Sequence, residues 1–137
     1  MKTTNLIIAI LAASFVAATA VRAQDAKLPP ASTKTGVTYD TDIKPIFAAA
    51  CLKCHDSAKP KQGGKLSLDT LAGTLNGSKD GQIGKVVIVG NSAKSGLVRT
   101  VAHVGDRDSF MPRGKGAKKL TDEQIGLIRA WIDQGAK

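Results

Sequence analysis

Two cysteines and a histidine at a fixed spacing are the residues of this sequence best suited to chemistry. Cys51, Cys54 and His55 form the pattern C-x-x-C-H. In an exported protein this spacing indicates covalent attachment of a c-type haem. Two thiols three residues apart at the end of a helix can each add to a vinyl group on one porphyrin edge. The next residue then lies under the iron and supplies an imidazole nitrogen. We therefore expect these three residues to bind one haem c.

Three other uses of the cysteine pair remain open at this point. Cys51 and Cys54 can form a structural disulfide in an oxidising compartment. A thioredoxin-like redox pair requires a βαβ context, which the pattern of elements lacks. A zinc site needs two more ligands, and His103 is the only further histidine in a chain with no further cysteine.

A second iron ligand is predicted in the C-terminal half of the chain. Apart from the initiator, Met111 is the only methionine, and it precedes Pro112 in an irregular stretch rather than on an apolar helix face. Such a position is poorly explained as core filler, although methionine does fill irregular gaps. The rival ligand is His103, at the end of a predicted helix. We expect Met111 to be the second ligand, with both alternatives open.

The first 23 residues have the layout of a secretory signal peptide. Lys2 supplies a positive start, an apolar stretch runs over 6–21, and Val21-Arg22-Ala23 has the small-x-Ala pattern of a cleavage site. A membrane anchor is the alternative, but the apolar run is short for a span that needs about 20 residues. Residues 24–37 are polar and predict a flexible linker. We expect export to a bacterial periplasm and one folded domain over residues 38–137.

The two ends of this domain carry the clearest helix signals. Pro45 is tolerable only in a first turn, so the first helix is expected to begin near Thr41, with Asp40 or Thr41 as its cap. The last helix begins at a T-x-x-Q capping box that starts at Thr121, and Gly135 is its natural stop. Apolar residues recur at helical spacing in both helices: Ile43, Ile46, Phe47 and Ala50 in the first, and Ile125, Ile128 and Ile132, with Trp131 beside them, in the last.

The middle of the domain predicts shorter elements. Leucines over residues 66–75 indicate a turn or a short helix, and the apolar, β-branched residues 86–89 indicate a buried extended segment. Ser92 is expected to cap a helix. The glycine-containing stretches 76–84 and 105–119 predict loops. Helices at both ends, a loop-rich middle and little strand predict an all-α domain.

Composition narrows the function classes. The chain has 137 residues and a formal net charge of +9, which falls to +7 when the signal peptide is removed. Three Phe, one Tyr and one Trp are few for an aromatic core, and a buried porphyrin would supply the missing apolar volume. We do not expect the protein to bind nucleic acid, because it is predicted to be exported to the periplasm and its sequence has no set of aromatic residues for base stacking. No carboxylate pair, Ser-His-Asp set or phosphate loop indicates an enzyme.

Six short motifs follow one another in the order found in a known family. They are Asp42-Ile43-Lys44-Pro45-Ile46-Phe47, Cys51-x-x-Cys54-His55, Gly63-Gly64-Lys65-Leu66-Ser67-Leu68, Ser95-Gly96-Leu97-Val98, Met111-Pro112 and Trp131-Ile132-x-x-Gly135-Ala136. Together they resemble the small monohaem class I cytochrome c domains of the planctomycete type, over about residues 39–136. The haem motif alone specifies only a c-type cytochrome, whereas the ordered set is much more specific. One departure is Arg113, which stands where the family often has a second proline after Met-Pro.

The resemblance implies a class I cytochrome c fold, in which three to five helices surround one covalently bound haem. The first and last helices would cross, with the Phe47 side against the Trp131 side. It also implies His55 and Met111 as axial ligands.

This ligand set predicts a periplasmic one-electron carrier and not an enzyme. Two alternatives stay open: an electron-accepting subunit of a larger periplasmic redox enzyme complex, and a haem-based ligand sensor if Met111 is labile. Lysines after Met111 and around the attachment motif are compatible with redox partner proteins that have an acidic docking face, and a solvated basic surface without a docking role is the open alternative. We expect a monomer with no transmembrane segment after signal cleavage.

Overall fold

The computed structural model describes residues 28–59, 63–77 and 85–137. The predicted signal peptide and the start of the predicted linker lie outside these residues. The described parts of the chain are helical and hold no strand, which confirms the all-α class. Their α-helices are α1 (Lys44–Ala50), α2 (Leu71–Asn76), α3 (Gly96–Val101) and α4 (Asp122–Asp133). None of the helices in these ranges is long and apolar enough to cross a membrane.

A π-helical turn over Tyr39–Ile43 leads directly into α1. Pro45 lies in the first turn of α1, as predicted, because a proline there removes no helical hydrogen bond. The predicted caps Asp40 and Thr41 are wrong: the carboxylate that satisfies the start of the turn belongs to Asp42, which accepts from the Thr38 N–H at 3.0 Å. The helical run therefore begins slightly earlier than the proline alone indicates.

Helix α4 begins as its capping box predicts. The Thr121 hydroxyl accepts from the Gln124 N–H at 3.2 Å, and the Gln124 side chain accepts from the Thr121 N–H at 3.0 Å. Its apolar face is fully buried at Ile125, Ile128, Trp131 and Ile132. The helix ends at Asp133, just before Gly135, whose φ of 106° is left-handed and so suits the predicted stop.

Tyr39 links the first and last elements of the domain. Its ring centroid lies 6.2 Å from that of Phe47 and 6.0 Å from that of Trp131. The carbonyl of Lys137 accepts from both the Tyr39 N–H at 2.8 Å and Trp131 Nε1 at 2.9 Å. The Phe47 and Trp131 sides thus meet through the ring of Tyr39.

Residues 28–37, which we call the N-terminal strap, lie along α4. Ser32 N–H donates to the Gly126 carbonyl at 2.9 Å, and the Arg129 guanidinium donates to the Pro29 carbonyl. Gln134 donates to the Lys34 carbonyl at 2.7 Å. This part of the predicted linker is therefore packed on the domain, because its backbone polar groups find partners on one helix face.

The middle of the domain follows the predicted pattern only in part. Val86 and Val87 are buried, but Val89 is 56% exposed, so the predicted buried segment is shorter than expected. Ser92 does not cap a helix; it lies in a 3₁₀ turn, and both its N–H and its hydroxyl bind the Asp133 carboxylate at 2.8 Å. Helix α3 starts four residues later and buries Leu97, Val98 and Val101 against the core. Most of the predicted 76–84 loop lies outside the described residues.

Candidate functional site

A cavity of about 820 Å³ opens between α1, α3 and the loop that precedes α4. All four residues predicted to bind the cofactor line it: Cys51, Cys54, His55 and Met111. Its volume falls in the range of about 300–1,000 Å³ that is typical of cofactor sites. Its walls are mainly aliphatic, with Ala50, Leu66, Leu68, Val86, Leu97, Val101 and Leu120 among them. The cavity thus joins residues from both halves of the sequence around an apolar space.

The cysteine motif forms the turn in which α1 ends. The N–H groups of Cys54 and His55 both donate to the Cys51 carbonyl, at 3.1 and 3.0 Å. Both thiols are free, with Cys51 half-buried and Cys54 exposed. Burial raises the pKa of the Cys51 thiol to about 11, so this thiol is protonated at neutral pH. The turn therefore presents two unpaired thiols and an imidazole to the same space.

The ring of His55 is held by the segment that follows the motif. Its Nδ1 lies 3.3 Å from the Leu66 carbonyl oxygen, which can only accept, so the proton of the neutral ring belongs on Nδ1. The lone pair of that tautomer is on Nε2, the atom left for a metal. The Leu68 N–H also donates to the His55 carbonyl at 2.8 Å. The local backbone thus selects the tautomer that suits an iron ligand.

Gly63 lies against the His55 ring, and the sequence pattern, which includes this glycine in a family motif, assigns it no role. A Cβ built there would lie 2.5 Å from His55 Nδ1 and 2.8 Å from the Cys54 carbonyl, and the φ of Gly63 is 61°. Only glycine fits so close to the imidazole in a left-handed conformation. A pair of adjacent glycines eight residues after the histidine was the available signal.

Met111 is half-buried in the cavity wall, and its backbone is tied to the end of α3. The Met111 N–H donates to the Thr100 carbonyl at 3.3 Å, and the Met111 carbonyl accepts from His103 Nε2 at 3.0 Å. A cis peptide bond joins it to Pro112. The methionine loop is thus anchored at the residue whose side chain meets the cavity.

His103, the rival ligand, does not line the cavity. Its ring stacks on Phe110 with centroids 4.6 Å apart and planes 5° from parallel. Within the described ranges, no group of three or more His, Cys, Asp or Glu side chains could hold a metal ion. Among the alternatives, the geometry therefore brings the cysteine motif together with Met111 and not with His103.

The mouth of the cavity is positively charged. Five exposed cations are among the lining residues, and we call them the rim cations: Lys53, Arg113, Lys115, Lys118 and Lys119. No Asp or Glu is among those lining residues that the structure describes. Of the other lysines that surround the motif in the sequence, Lys59 and Lys65 are exposed and lie outside the lining, and Lys61 lies outside the described residues. The charge at the mouth therefore comes mainly from the loop that also carries Met111.

The aliphatic walls, the thiol pair and the imidazole with a free Nε2 fit a covalently bound haem. No match was found among curated proteins or among solved structures. Residues 51–113 match the model of a protein family described as Planctomycete cytochrome C. A cytochrome c family implies haem c and suggests an electron carrier. The match begins at the first cysteine and includes both His55 and Met111. The matching family is the one that the ordered motifs of the chain resemble.

Proposed function

We propose that this protein is a periplasmic one-electron carrier with a class I cytochrome c fold, one covalent haem c, and His55 and Met111 as axial ligands. The observation that supports it best is that the cysteine motif and Met111, which are far apart in the sequence, line one apolar cavity. The signal-like first 23 residues support export, and the family supports the carrier role.

The chain's own residues have distinct tasks in this proposal. Cys51 and Cys54 would hold the haem through two thioether bonds, each of which corresponds to addition of S–H across a vinyl double bond with no net change of oxidation state. The Leu66 carbonyl holds the Nδ1 proton of His55 and leaves Nε2 to bind the metal. Met111 supplies a thioether from the loop anchored at α3. Haem c, when bound, supplies a one-electron iron couple.

Two protein ligands leave no coordination position for a substrate, which favours electron transfer over catalysis at the metal. A thioether ligand raises the reduction potential relative to ligation by two histidines. The aliphatic walls raise it further, because a low-dielectric surrounding disfavours the more positive, oxidised centre. The ligands are held by backbone contacts on both sides, so little rearrangement is needed when an electron is exchanged.

The rim cations support a partner with an acidic docking face. All five are exposed at the mouth of the cavity, where a redox partner must approach. Opposite charge on the partner would raise the encounter rate, and added salt would lower it.

Mass spectrometry and optical spectroscopy of protein made in a host able to attach haem test the main proposal. We expect the denatured chain to start near residue 24 and to carry one macrocycle, with a low-spin c-type spectrum and a weak red band from sulfur ligation. Met111→Ala should lose that band and bind carbon monoxide at neutral pH, which the native protein should resist. A native chain without added mass would contradict haem attachment, and a native protein that binds carbon monoxide readily would favour the sensor alternative.

A pair of charge reversals tests the docking surface. Lys118→Glu with Lys119→Glu should lower the rate of electron transfer to an acidic partner by about tenfold at low salt and flatten its salt dependence. The matched control is Lys85→Glu with Lys94→Glu, which changes the net charge equally at exposed positions outside the cavity lining. Equal losses in the two double variants would show that only the net charge matters.

A further inference from the structure

His103 occupies an unusual place for a histidine. It directly follows α3 and its C-cap Ala102, and it adopts a left-handed φ of 59°, which costs free energy for a residue with a side chain. Its ring is stacked on that of Phe110, with the two planes nearly parallel and the centroids 4.6 Å apart. Two local features thus direct this ring towards the methionine loop.

The polar edge of the ring reaches the backbone of the predicted ligand. His103 Nε2 lies 3.0 Å from the Met111 carbonyl oxygen, which can only accept, so Nε2 is the donor. The Met111 N–H donates to the Thr100 carbonyl at 3.3 Å. Both backbone polar groups of Met111 are therefore bound to one short segment at the end of α3.

The other hydrogen bonds of the methionine loop join its own residues to one another: Asp106 binds Asp108 and Ser109, Phe110 binds Arg107 and Arg113, and Ala117 binds Gly114. Residues 105–119 contain Gly105, Gly114 and Gly116, all with left-handed φ values. Glycines of this kind raise the number of conformations that a loop can reach. The two hydrogen bonds at Met111 are thus the contacts best placed to fix its position in the cavity wall.

We propose that His103 is a positioning residue that holds the Met111 loop against α3 and so keeps the thioether in place at the iron. This inference rests on the proposed function, since it requires Met111 to be the ligand. His103 acts through the Met111 carbonyl and does not itself line the cavity. Loss of the hydrogen bond from His103 should make Met111 easier for an added ligand to displace from the metal, while the haem stays attached.

Imidazole binding to the ferric holoprotein, followed together with the red sulfur band, measures how readily Met111 is displaced. His103→Phe keeps a flat ring for stacking on Phe110 but has no donor, and we expect its imidazole affinity to rise about five- to tenfold, the loss of one hydrogen bond. His103→Gln places an amide donor at a similar reach and should restore an affinity near the native one.

A matched control separates positioning from general destabilisation. Ser92→Ala removes contacts to Asp133 and Arg129 at a site that does not line the cavity. It should lower the unfolding temperature but leave imidazole affinity unchanged. If His103→Phe binds imidazole as the native protein does, or if Ser92→Ala raises affinity equally, the inference is wrong.

A second pair keeps the test decisive if His103→Phe does not fold. His103→Asn tolerates the left-handed backbone, but its shorter amide does not reach as far as that of His103→Gln. The inference is supported if imidazole displaces Met111 less readily in His103→Gln than in His103→Asn. Equal displacement of Met111 in the two variants overturns it. A native holoprotein that lacks the sulfur band would overturn the proposed ligand set, and with it this inference.

Discussion

Two regions of this small domain are built in different ways. The packed half consists of the Tyr39 turn, the N-terminal strap and α4, and its central side chains Phe47, Ile128 and Trp131 are fully buried against one another. The cavity half consists of the cysteine motif, the segment that holds His55, and the Met111 loop. There the side chains that are predicted to bind the cofactor are half-buried or exposed around a cavity of about 820 Å³.

The difference accounts for the scarcity of aromatic residues. Three of the five aromatic side chains, Tyr39, Phe47 and Trp131, are in contact in the packed half. In the cavity half, Phe110 stacks on His103. The packed half is thus stabilised by residues that the chain itself supplies, whereas the cavity half is shaped around a flat apolar group, as we propose.

The largest effect is expected from the packed half. Trp131→Ala removes a fully buried ring and the hydrogen bond from its Nε1 to the Lys137 carbonyl. We expect a loss of about 3–5 kcal/mol in the free energy of unfolding, a large share of the stability of a small domain. Urea denaturation followed by circular dichroism measures it.

Trp131→Phe is the control for this variant. It keeps an aromatic ring but loses the donor to Lys137, so we expect a loss of about 1–2 kcal/mol. If the alanine variant were no less stable than the phenylalanine variant, the packed half would not depend on this ring.

The next effect tests the cavity half at Gly63. Gly63→Ala would place a methyl group 2.5 Å from His55 Nδ1, so the imidazole or the backbone must move. We expect a loss of about 1–3 kcal/mol from crowding, together with a shifted reduction potential or a lower haem content. A redox titration and the ratio of haem to protein measure these changes.

Gly36→Ala is a matched control for the backbone strain. Gly36 has a φ of 66°, close to the 61° of Gly63, but nothing lies within 4 Å of a Cβ built there. It should lose about 1 kcal/mol from the left-handed conformation and leave the haem unchanged. Equal changes in the two variants would mean that the contact with His55 is unimportant.

A smaller effect is expected from acid. Hydrogen bonds from Lys34 and the Thr38 N–H lower the pKa of Asp42, and a hydrogen bond from Ser57 lowers that of Asp69. Because the pKa values are lowered in the folded state, the stabilisation is present above the usual carboxyl pKa of 3.8 and is lost as pH falls through the folded value. Both carboxylates belong to half-buried residues near the surface, so we expect each contribution to be small and to be screened by salt.

Urea midpoints between pH about 6 and about 2.5 measure this dependence. Asp42→Asn should reduce the pH dependence of the urea midpoint, because it removes the ion pair with Lys34 of the strap. Asp69→Asn should reduce it as well, because it weakens the contact with Ser57, just after the cysteine motif. An unchanged curve in both variants would assign the acid sensitivity to other groups.

The smallest net effect is expected at the contact between α4 and the strap. Gly126→Ala would place a methyl group 2.8 Å from the Pro30 carbonyl and so push the strap away. Alanine also favours the helix by up to about 1 kcal/mol, which offsets the lost contact in the global stability. Amide exchange at Ser32 should still become faster, because its hydrogen bond to the Gly126 carbonyl is disturbed. Unchanged exchange there would show that the strap tolerates the methyl group.

The sequence predicts the two halves unequally well. The capping box at Thr121, the buried face of α4 and the all-α class follow from local patterns and are confirmed. The four predicted site residues line one cavity. They could be predicted because the spacing C-x-x-C-H and a lone methionine beside a proline have few other uses in proteins. Haem attachment and the axial ligands remain predictions.

Features that depend on distant partners were not predicted. The strap is polar and proline-rich, so it looks like a linker until α4 is placed beside it. Ser92 has the right type for a cap, but Asp133, which is far away in the sequence, binds it instead. Val89 is apolar and yet exposed, because the chain turns at Gly90. Each of these depends on tertiary contacts that local propensity does not contain.

The position of Trp131 has a practical consequence. It is the only tryptophan of the chain, and it is fully buried in the packed half. In the absence of haem, intrinsic fluorescence excited at the indole therefore reports on that half, while visible absorption of a bound haem would report on the other. A bound porphyrin would quench the tryptophan emission by energy transfer. The emission intensity of the holoprotein would therefore rise as the two regions move apart. One sample in one cuvette could then show which region loses its structure first.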